Sequence, residues 1–246
     1  MTQIGFKTDR GRKRGRNEDS LFVMPRENIY IVADGVGGQN SGELASSMAV
    51  KTIAEYIKEK PLQNVEDEEA LKDYFLDCMK HANQIIYRTA RLSRENAGMA
   101  TTAVVLYLAG GNAYIINVGD SRAYICRDGR ISQITEDHTY VNELVKGGSI
   151  TKEEAVLHPQ KNMITRALGA EEKILPDFYR LKTLKDDILI LCTDGLYGEV
   201  SEEEICGMAA ASNSMNALSK NLVQRANRNG GNDNITVICL KILQED

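Results

Sequence analysis

At 246 residues the chain can hold one large domain, or at most two small ones. Its apolar fraction of 42% excludes extended disorder, and a net charge of −5, from 30 basic and 35 acidic residues, argues against a dedicated nucleic-acid binder. The five cysteines (Cys78, Cys126, Cys192, Cys206 and Cys239) are scattered without a C-x-x-C pair, as expected of free thiols in a reducing cytoplasm. The first twenty residues hold no apolar signal segment, and no apolar run approaches the roughly 18 residues of a membrane helix.

In chain order, alternating β-branched and aromatic residues predict strands at Gln3–Lys7, Ser20–Met24 and Asn28–Ala33. Helical spacing follows from Asn40 to Lys58, with Asn40 and Glu43 as a capping box and Leu44, Met48, Ala54 and Ile57 as its apolar stripe. A longer helix is predicted over Glu66–Asn96. Leu71, Phe75, Met79, Ala82, Ile86 and Ala90 share one face of it, Arg88, Arg91 and Arg94 crowd its end, and Gly98 stops it. Two hairpins come next. Thr102–Ala109 turns through Gly110-Gly111 into Ala113–Val118, and Arg122–Cys126 turns through Arg127-Asp128-Gly129 into Ile131–Ile134.

Residues Asp137–Gly169 read as an excursion from the core, with short helical pieces and little alternation. Strands resume at Phe178–Thr183, Ile188–Cys192 and Ile235–Ile242, with helices near Ser201–Ala211 and Ser214–Arg228. Strands grouped with strands and helices with helices argue for α+β over a βαβ parallel sheet. The expected architecture is one domain, residues 1–246, of two packed antiparallel sheets with helices on their outer faces.

Five aspartates stand in glycine, asparagine or strand-end settings: Asp19, Asp34, Asp120, Asp194 and Asp233. Four adjoin apolar β-rich runs, where a carboxylate has little packing reason to be. Gathered by the fold, they would form an all-oxygen site for a hard divalent cation. Asp34 suits a bridging position because Gly35 follows it, and a glycine carbonyl can approach a cation unobstructed. Asp-Gly and Asp-Asn are also ordinary turn pairs, so each aspartate alone is ambiguous and the set of five carries the argument.

Six segments occur in a telling order: Arg14-x-x-Asn17-Glu18-Asp19, Ala33-Asp34-Gly35-x-Gly37-Gly38, Gly98-Met99-x-Thr101-Thr102, Gly119-Asp120-Ser121-Arg122, Asp194-Gly195-Leu196 and Gly231-x-Asp233-Asn234-Ile235-Thr236. Over essentially its whole length the chain resembles the bacterial metal-dependent (PPM, type 2C) serine/threonine protein phosphatases. The resemblance implies a four-layer αββα sandwich with two to three Mn²⁺ or Mg²⁺ ions at one end, between the sheets. It implies Asp34 as bridging ligand, Gly35 as carbonyl ligand, and Asp194 and Asp233 as further ligands. Asp120, with Asp194, would hold a weaker third ion, and Asp19 would act through metal-bound water. Arg14 matches the phosphate-binding arginine, whose planar fork suits phosphate oxygens. The implied reaction is direct attack of metal-activated water on phosphoserine or phosphothreonine, opposing a cognate kinase, without a phosphoenzyme. A monomer is expected, since no heptad seam is exposed.

One position departs from the pattern. Many bacterial relatives carry a histidine, a candidate general acid, where this chain has Gln39, which cannot supply a proton at neutral pH. Loss of one general acid costs about 10²–10⁴-fold in rate, so alkyl phosphoesters should be slowed more than aryl ones. The excursion matches the family's flap, about Thr139 to Thr165, and is expected to govern substrate access. His138 and His158 lie in or beside it. His138 is expected to order the loop by hydrogen bonding, and His81 to be a surface or packing residue on the long helix.

Other readings are weaker. The run Arg10 to Arg16 could bind nucleic acid, but it abuts the expected phosphate site, where Arg10, Arg12, Lys13 and Arg16 would raise the local potential for anionic substrates. Gly35-Val-Gly-Gly38 lacks the Lys-Ser/Thr of a P-loop, and the dinucleotide spacing fails at Asn40. Gly119-Asp-Ser-Arg-Ala123 leads into a strand rather than the helix of a nucleophile elbow, so Ser121 and Arg122 are expected to shape the loop carrying Asp120. No cysteine is followed six positions later by arginine, which removes the cysteine-nucleophile phosphatases. A non-catalytic relative that binds metal and a phosphorylated partner is the alternative from a different class.

Overall fold

The computed structural model of the chain describes residues 2–37, 41–62 and 67–244. It contains strands β1 (Thr2–Asp9), β2 (Asp19–Met24), β3 (Ile29–Val36), β4 (Ala100–Thr101), β5 (Ala103–Ala109), β6 (Asn112–Val118), β7 (Arg122–Arg127), β8 (Arg130–Gln133), β9 (Asp177–Lys182), β10 (Ile188–Cys192) and β11 (Ile235–Ile242). Helices are α1 (Ser41–Glu59), α2 (Glu68–Leu92), α3 (Tyr140–Lys146), α4 (Lys152–Leu157), α5 (Asp194–Tyr197), α6 (Glu202–Ala211) and α7 (Met215–Asn229). One sheet runs β1-β11-β10-β7-β8 and the other β2-β3-β5-β6-β9, with β4 paired to β3; every pairing is antiparallel.

Side-chain alternation builds the layers. In β3, Ile29, Ile31 and Ala33 face α1 and α2, while Tyr30 and Val32 enter the gap between the sheets. In β10, Ile188, Ile190 and Cys192 pack against the α6 and α7 side, and Leu189 and Leu191 face the gap. Strands buried on both faces need continuous apolar runs, which is why β3, β5, β10 and β11 read so clearly in the sequence. The result is the expected αββα order, with one apolar layer inside each helix–sheet pair and a third between the sheets.

Both hairpins form as expected. Gly110 and Gly111 have φ of +54° and +69°, and Asp128 and Gly129 have +51° and +72°, the conformation that tight primed turns require. The second turn uses only Asp128-Gly129, since Arg127 pairs with Arg130.

Helix ends differ from expectation. The cap assigned to Asn40 lies outside the described residues. α2 starts later than Glu66, capped by the Asp67 side chain, which accepts from the Ala70 N–H at 2.7 Å. It stops at Leu92, short of Asn96, because Ser93 is extended and its hydroxyl caps a separate short turn, Arg94–Asn96. Serine competes for backbone donors in this way and ends helices that spacing alone would continue.

The excursion 137–169 contains α3 and α4 and is pinned at its root. Thr139 bridges Ile164, Tyr140 N–H donates to Met163 O at 2.8 Å, and Thr165 N–H donates to His138 O at 2.8 Å.

Candidate active site

The carboxylates collect where the gap between the sheets opens at one end. Asp34 continues the inward parity of Tyr30 and Val32, so it lies inside β3 rather than at the strand end that the sequence suggested. Asp19, of the same parity as Leu21 and Val23, opens β2 and is the direct cross-strand partner of Asp34. Like charges directly opposite each other on antiparallel strands repel. Asp120 follows β6, Asp194 follows β10 as the first residue of α5, and Asp233 precedes β11.

Their charges act on one another. Burial first, then the charges of Asp19, Asp194, Asp120 and Asp233, hold the partly exposed Asp34 carboxyl well above the ordinary range. Asp194 is raised by burial and by Asp233, and the Asp34 carboxyl is within its hydrogen-bonding reach. Burial raises Asp19, whose Oδ2 accepts from the Thr193 hydroxyl at 2.9 Å. Asp120, 5% exposed, is pushed up to about 7 by burial, then by Asp194 and Asp137. Two buried oxygens, Asp19 Oδ1 and Asp194 Oδ1, have no hydrogen-bond partner. Buried polar atoms are normally paired, and an all-carboxylate cluster with unpaired oxygens suits hard divalent cations. Among the described residues no three Asp, Glu, His or Cys side chains stand as a ready-made ion cage.

Arg14 reaches this cluster by a different contact from the one expected. Its Nη2 donates to Asp233 Oδ2 at 2.7 Å, and its charge is felt by Asp194. The two side chains are 53% and 32% exposed, so the pair is a weak, exchangeable one.

Gly35 has a packing reason to be glycine. A Cβ there would lie 2.0 Å from Gly42 O and 2.7 Å from Glu18 O. Gly195 is similarly constrained, because a Cβ would lie 1.9 Å from Asn234 O. Such backbone approaches are open only to glycine.

Asn234, Thr101, Thr102 and Thr236 lay within the quoted motifs without any assigned role, and Thr193 lay just outside them. Asn234 stitches three segments: its Oδ1 accepts from Glu18 N–H at 2.7 Å, and its Nδ2 donates to Arg10 O and Arg16 O, both at 2.8 Å. Thr193 Oγ1 accepts from Thr236 N–H at 3.0 Å while donating to Asp19. Thr102 Oγ1 accepts from Asp34 N–H at 2.9 Å, and Thr101 Oγ1 donates to Asp34 O at 2.8 Å. The Thr-Thr and Asn-Ile-Thr segments held the signal for these, Thr193 apart, but only the fold shows their partners.

The Asp120 loop is braced on three sides. Ser121 Oγ bonds Thr102 Oγ1 at 2.7 Å; Arg122 forks onto Asp137 and lies 3.6 Å over the Tyr197 ring; and Tyr197 O–H donates to Asp120 O at 2.9 Å. His138, buried, accepts from Gly119 N–H through Nδ1 at 3.0 Å, which leaves Nε2 to donate to Asp177 Oδ2 at 3.1 Å. Its own N–H donates to Gly119 O. The histidine thus joins the root of the excursion to the Asp120 turn, as an ordering residue. His158 Nδ1 accepts from Gln160 N–H within the excursion, and His81 packs against Tyr56 on the exposed side of α2. Gln39 lies outside the described residues.

The chain is similar to known proteins over nearly its whole length. The protein phosphatase 2C profile matches residues 10–236. A serine/threonine phosphatase, stp, of Listeria welshimeri is 37% identical over 239 residues, covering 96% of this chain and 94% of that protein. The S. agalactiae serine/threonine phosphatase structure superposes with a TM-score of 0.91 at 32% identity, over 98% of this chain and 100% of its own. The catalytic domain of the serine/threonine protein phosphatase PstP, solved with two manganese ions, gives a TM-score of 0.85 at 30% identity, with 99% of both chains covered. With the carboxylate cluster at the open end of an αββα sandwich and this likeness along its whole length, the chain belongs to the protein phosphatase 2C family of serine/threonine phosphatases.

Proposed function

We propose that this protein hydrolyses phosphoserine and phosphothreonine on proteins, with divalent cations held by the five-aspartate cluster. The unpaired, buried oxygens of Asp19 and Asp194, set among carboxylates that repel one another, carry this reading. In this reading Asp34, Asp194 and Asp233 would hold the ions together with the Gly35 carbonyl. Asp120, with Asp194, would hold a third ion, and Asp19 would act through water. The manganese in the related PstP domain supports Mn²⁺ or Mg²⁺. When bound, such ions supply a nucleophilic water at neutral pH and positive charge for the phosphoryl oxygens.

The chain's own residues do the rest. Arg14, half-exposed beside Asp233, would turn its fork toward the substrate phosphate. Thr193 and Thr102 hold Asp19 and Asp34 in place through the hydrogen bonds described above. Gln39 cannot protonate the leaving alkoxide, so another donor serves there, and alkyl esters react more slowly relative to aryl ones. The segment about 139–165 acts as a flap beside the site, within a single domain of 1–246. The partners are phosphorylated proteins and a cognate serine/threonine kinase in the cytoplasm, with the enzyme acting as a monomer. No helix among the described residues is long and apolar enough to cross a membrane.

The test is phosphate release from a phosphothreonine peptide with manganese, repeated with excess chelator and with Asp233→Asn. Turnover that disappears in both is expected. Turnover indifferent to chelator would overturn the metal assignment, and no turnover from folded, manganese-loaded protein would move the assignment to a phosphoprotein-binding role.

A further inference from the structure

The loop Arg10–Arg16 carries five cations in seven residues: Arg10, Arg12, Lys13, Arg14 and Arg16. The chain's net charge is −5, so the loop stands out as a positive segment on a chain whose remainder carries −5 − 5 = −10. The loop is fixed in place. Arg12 N–H and Lys13 N–H donate to Gly231 O at 2.8 and 3.2 Å, and Asn234 Nδ2 donates to the carbonyls of Arg10 and Arg16. At Gly11, with φ +77°, a Cβ would lie 2.0 Å from Asp233 O, so the backbone of the basic loop lies directly on the turn that carries Asp233.

The cations divide by role. Arg14 is committed to the carboxylate cluster. Arg12 spends its Nε on Asn227 O at 2.7 Å and has no carboxylate partner among the described residues. The side chains of Arg10 and Lys13 are exposed, and among the described residues neither has a hydrogen-bond or ion-pair partner. A charge run on an unanchored loop would be ordinary solvated surface. Here uncompensated cations are held beside the mouth of a phosphate-hydrolysing site, and Lys13 adjoins the arginine that meets the phosphate. Successive residues of an extended peptide lie roughly 3.3–3.6 Å apart, so the residues flanking the phosphorylated one extend over the surface next to the site, where this loop lies.

We infer that this loop selects phosphorylated segments rich in acidic residues, with Arg10 and Lys13 contacting carboxylates or further phosphates that flank the residue being hydrolysed. The inference rests on the phosphatase reading and names the substrate class for the same site. The preformed loop loses little conformational freedom on binding, and its field favours anionic segments on approach.

The test compares kcat/KM for matched phosphothreonine peptides flanked by glutamate or by lysine. It uses the manganese-loaded protein and its Arg10→Glu/Lys13→Glu variant, with p-nitrophenyl phosphate as a substrate lacking flanks. The wild type should prefer the acidic peptide by about tenfold at low salt, the size expected of a few exposed ion pairs, and the preference should shrink as salt is added. In the double variant the preference should vanish or reverse, while kcat for the aryl phosphate at saturating concentration stays within about twofold. A wild-type ratio near one, or a ratio unchanged in the variant, overturns the inference while aryl phosphate turnover leaves the phosphatase reading standing. A ratio near one together with polynucleotide binding lost in the variant assigns the loop to nucleic acid and also overturns it. Absence of both peptide and aryl turnover in the wild type overturns the phosphatase reading and this inference with it.

Discussion

Replacing Asp120 by asparagine should stabilise the metal-free protein, and only at higher pH. Asp120 is 5% exposed, and burial together with Asp194 and Asp137 moves its proton affinity from the ordinary 3.8 to about 7. Between those values the folded chain holds a proton that the unfolded chain has already released. The group's contribution to stability is therefore complete below about pH 4 and is lost as pH rises through 7. The difference, 7 − 3.8 = 3.2 decades, corresponds to about 4 kcal/mol at pH 8, using about 1.4 kcal/mol per decade. This is a ceiling, because water entering around an ionised carboxylate offsets part of it; half, about 2 kcal/mol, is the expected gain. For a chain of this length that raises the midpoint of thermal unfolding by about 4–8 °C. Asparagine keeps the shape, and the Tyr197 hydrogen bond is unaffected because it falls on the Asp120 backbone carbonyl. The assay is thermal unfolding of chelator-stripped wild type and Asp120→Asn at pH 5, 6.5 and 8. The gain in midpoint should be smallest at pH 5, larger at pH 6.5 and level off by pH 8. A gain of equal size at all three values, or a loss at pH 8, would refute the view that ionisation inside the empty cluster opposes folding.

Two further substitutions separate catalysis from stability. Arg14→Ala removes a half-exposed pair worth no more than about 1 kcal/mol, so unfolding should barely move. In contrast, kcat/KM for a phosphopeptide should fall about 10–100-fold through loss of a charged hydrogen bond to phosphate; an unchanged kcat/KM would remove Arg14 from the site. Gly195→Ala should do the reverse first. Its Cβ would lie 1.9 Å from Asn234 O, so the Asp233-Asn234 turn must shift, at about 2–4 kcal/mol in a thermal melt; a loss under 1 kcal/mol would mean that the turn is looser than the structure shows.

Local information carried much of this protein. Apolar runs long enough to be buried on both faces marked β3, β5, β10 and β11, and the glycines of the two hairpins marked their turns, because strand burial and positive φ are properties of a few adjacent residues. The five aspartates were legible as a set, since a carboxylate beside an apolar run has few structural explanations, and the ordered motifs tied them to a family. The tertiary structure decided what depends on distant partners. The early stop of α2 came from Ser93 choosing to cap the next turn. The position of Asp34 inside β3, facing Asp19, came from strand register. The Arg14–Asp233 pair, the stitching by Asn234 of segments more than 200 positions apart, and the link from His138 to Gly119 are contacts between residues with no local signature of each other. Spacing along a chain specifies which residue types are present and which face they share, while the repulsion and proton affinity of buried carboxylates depend on through-space distances that only the packed sheets establish.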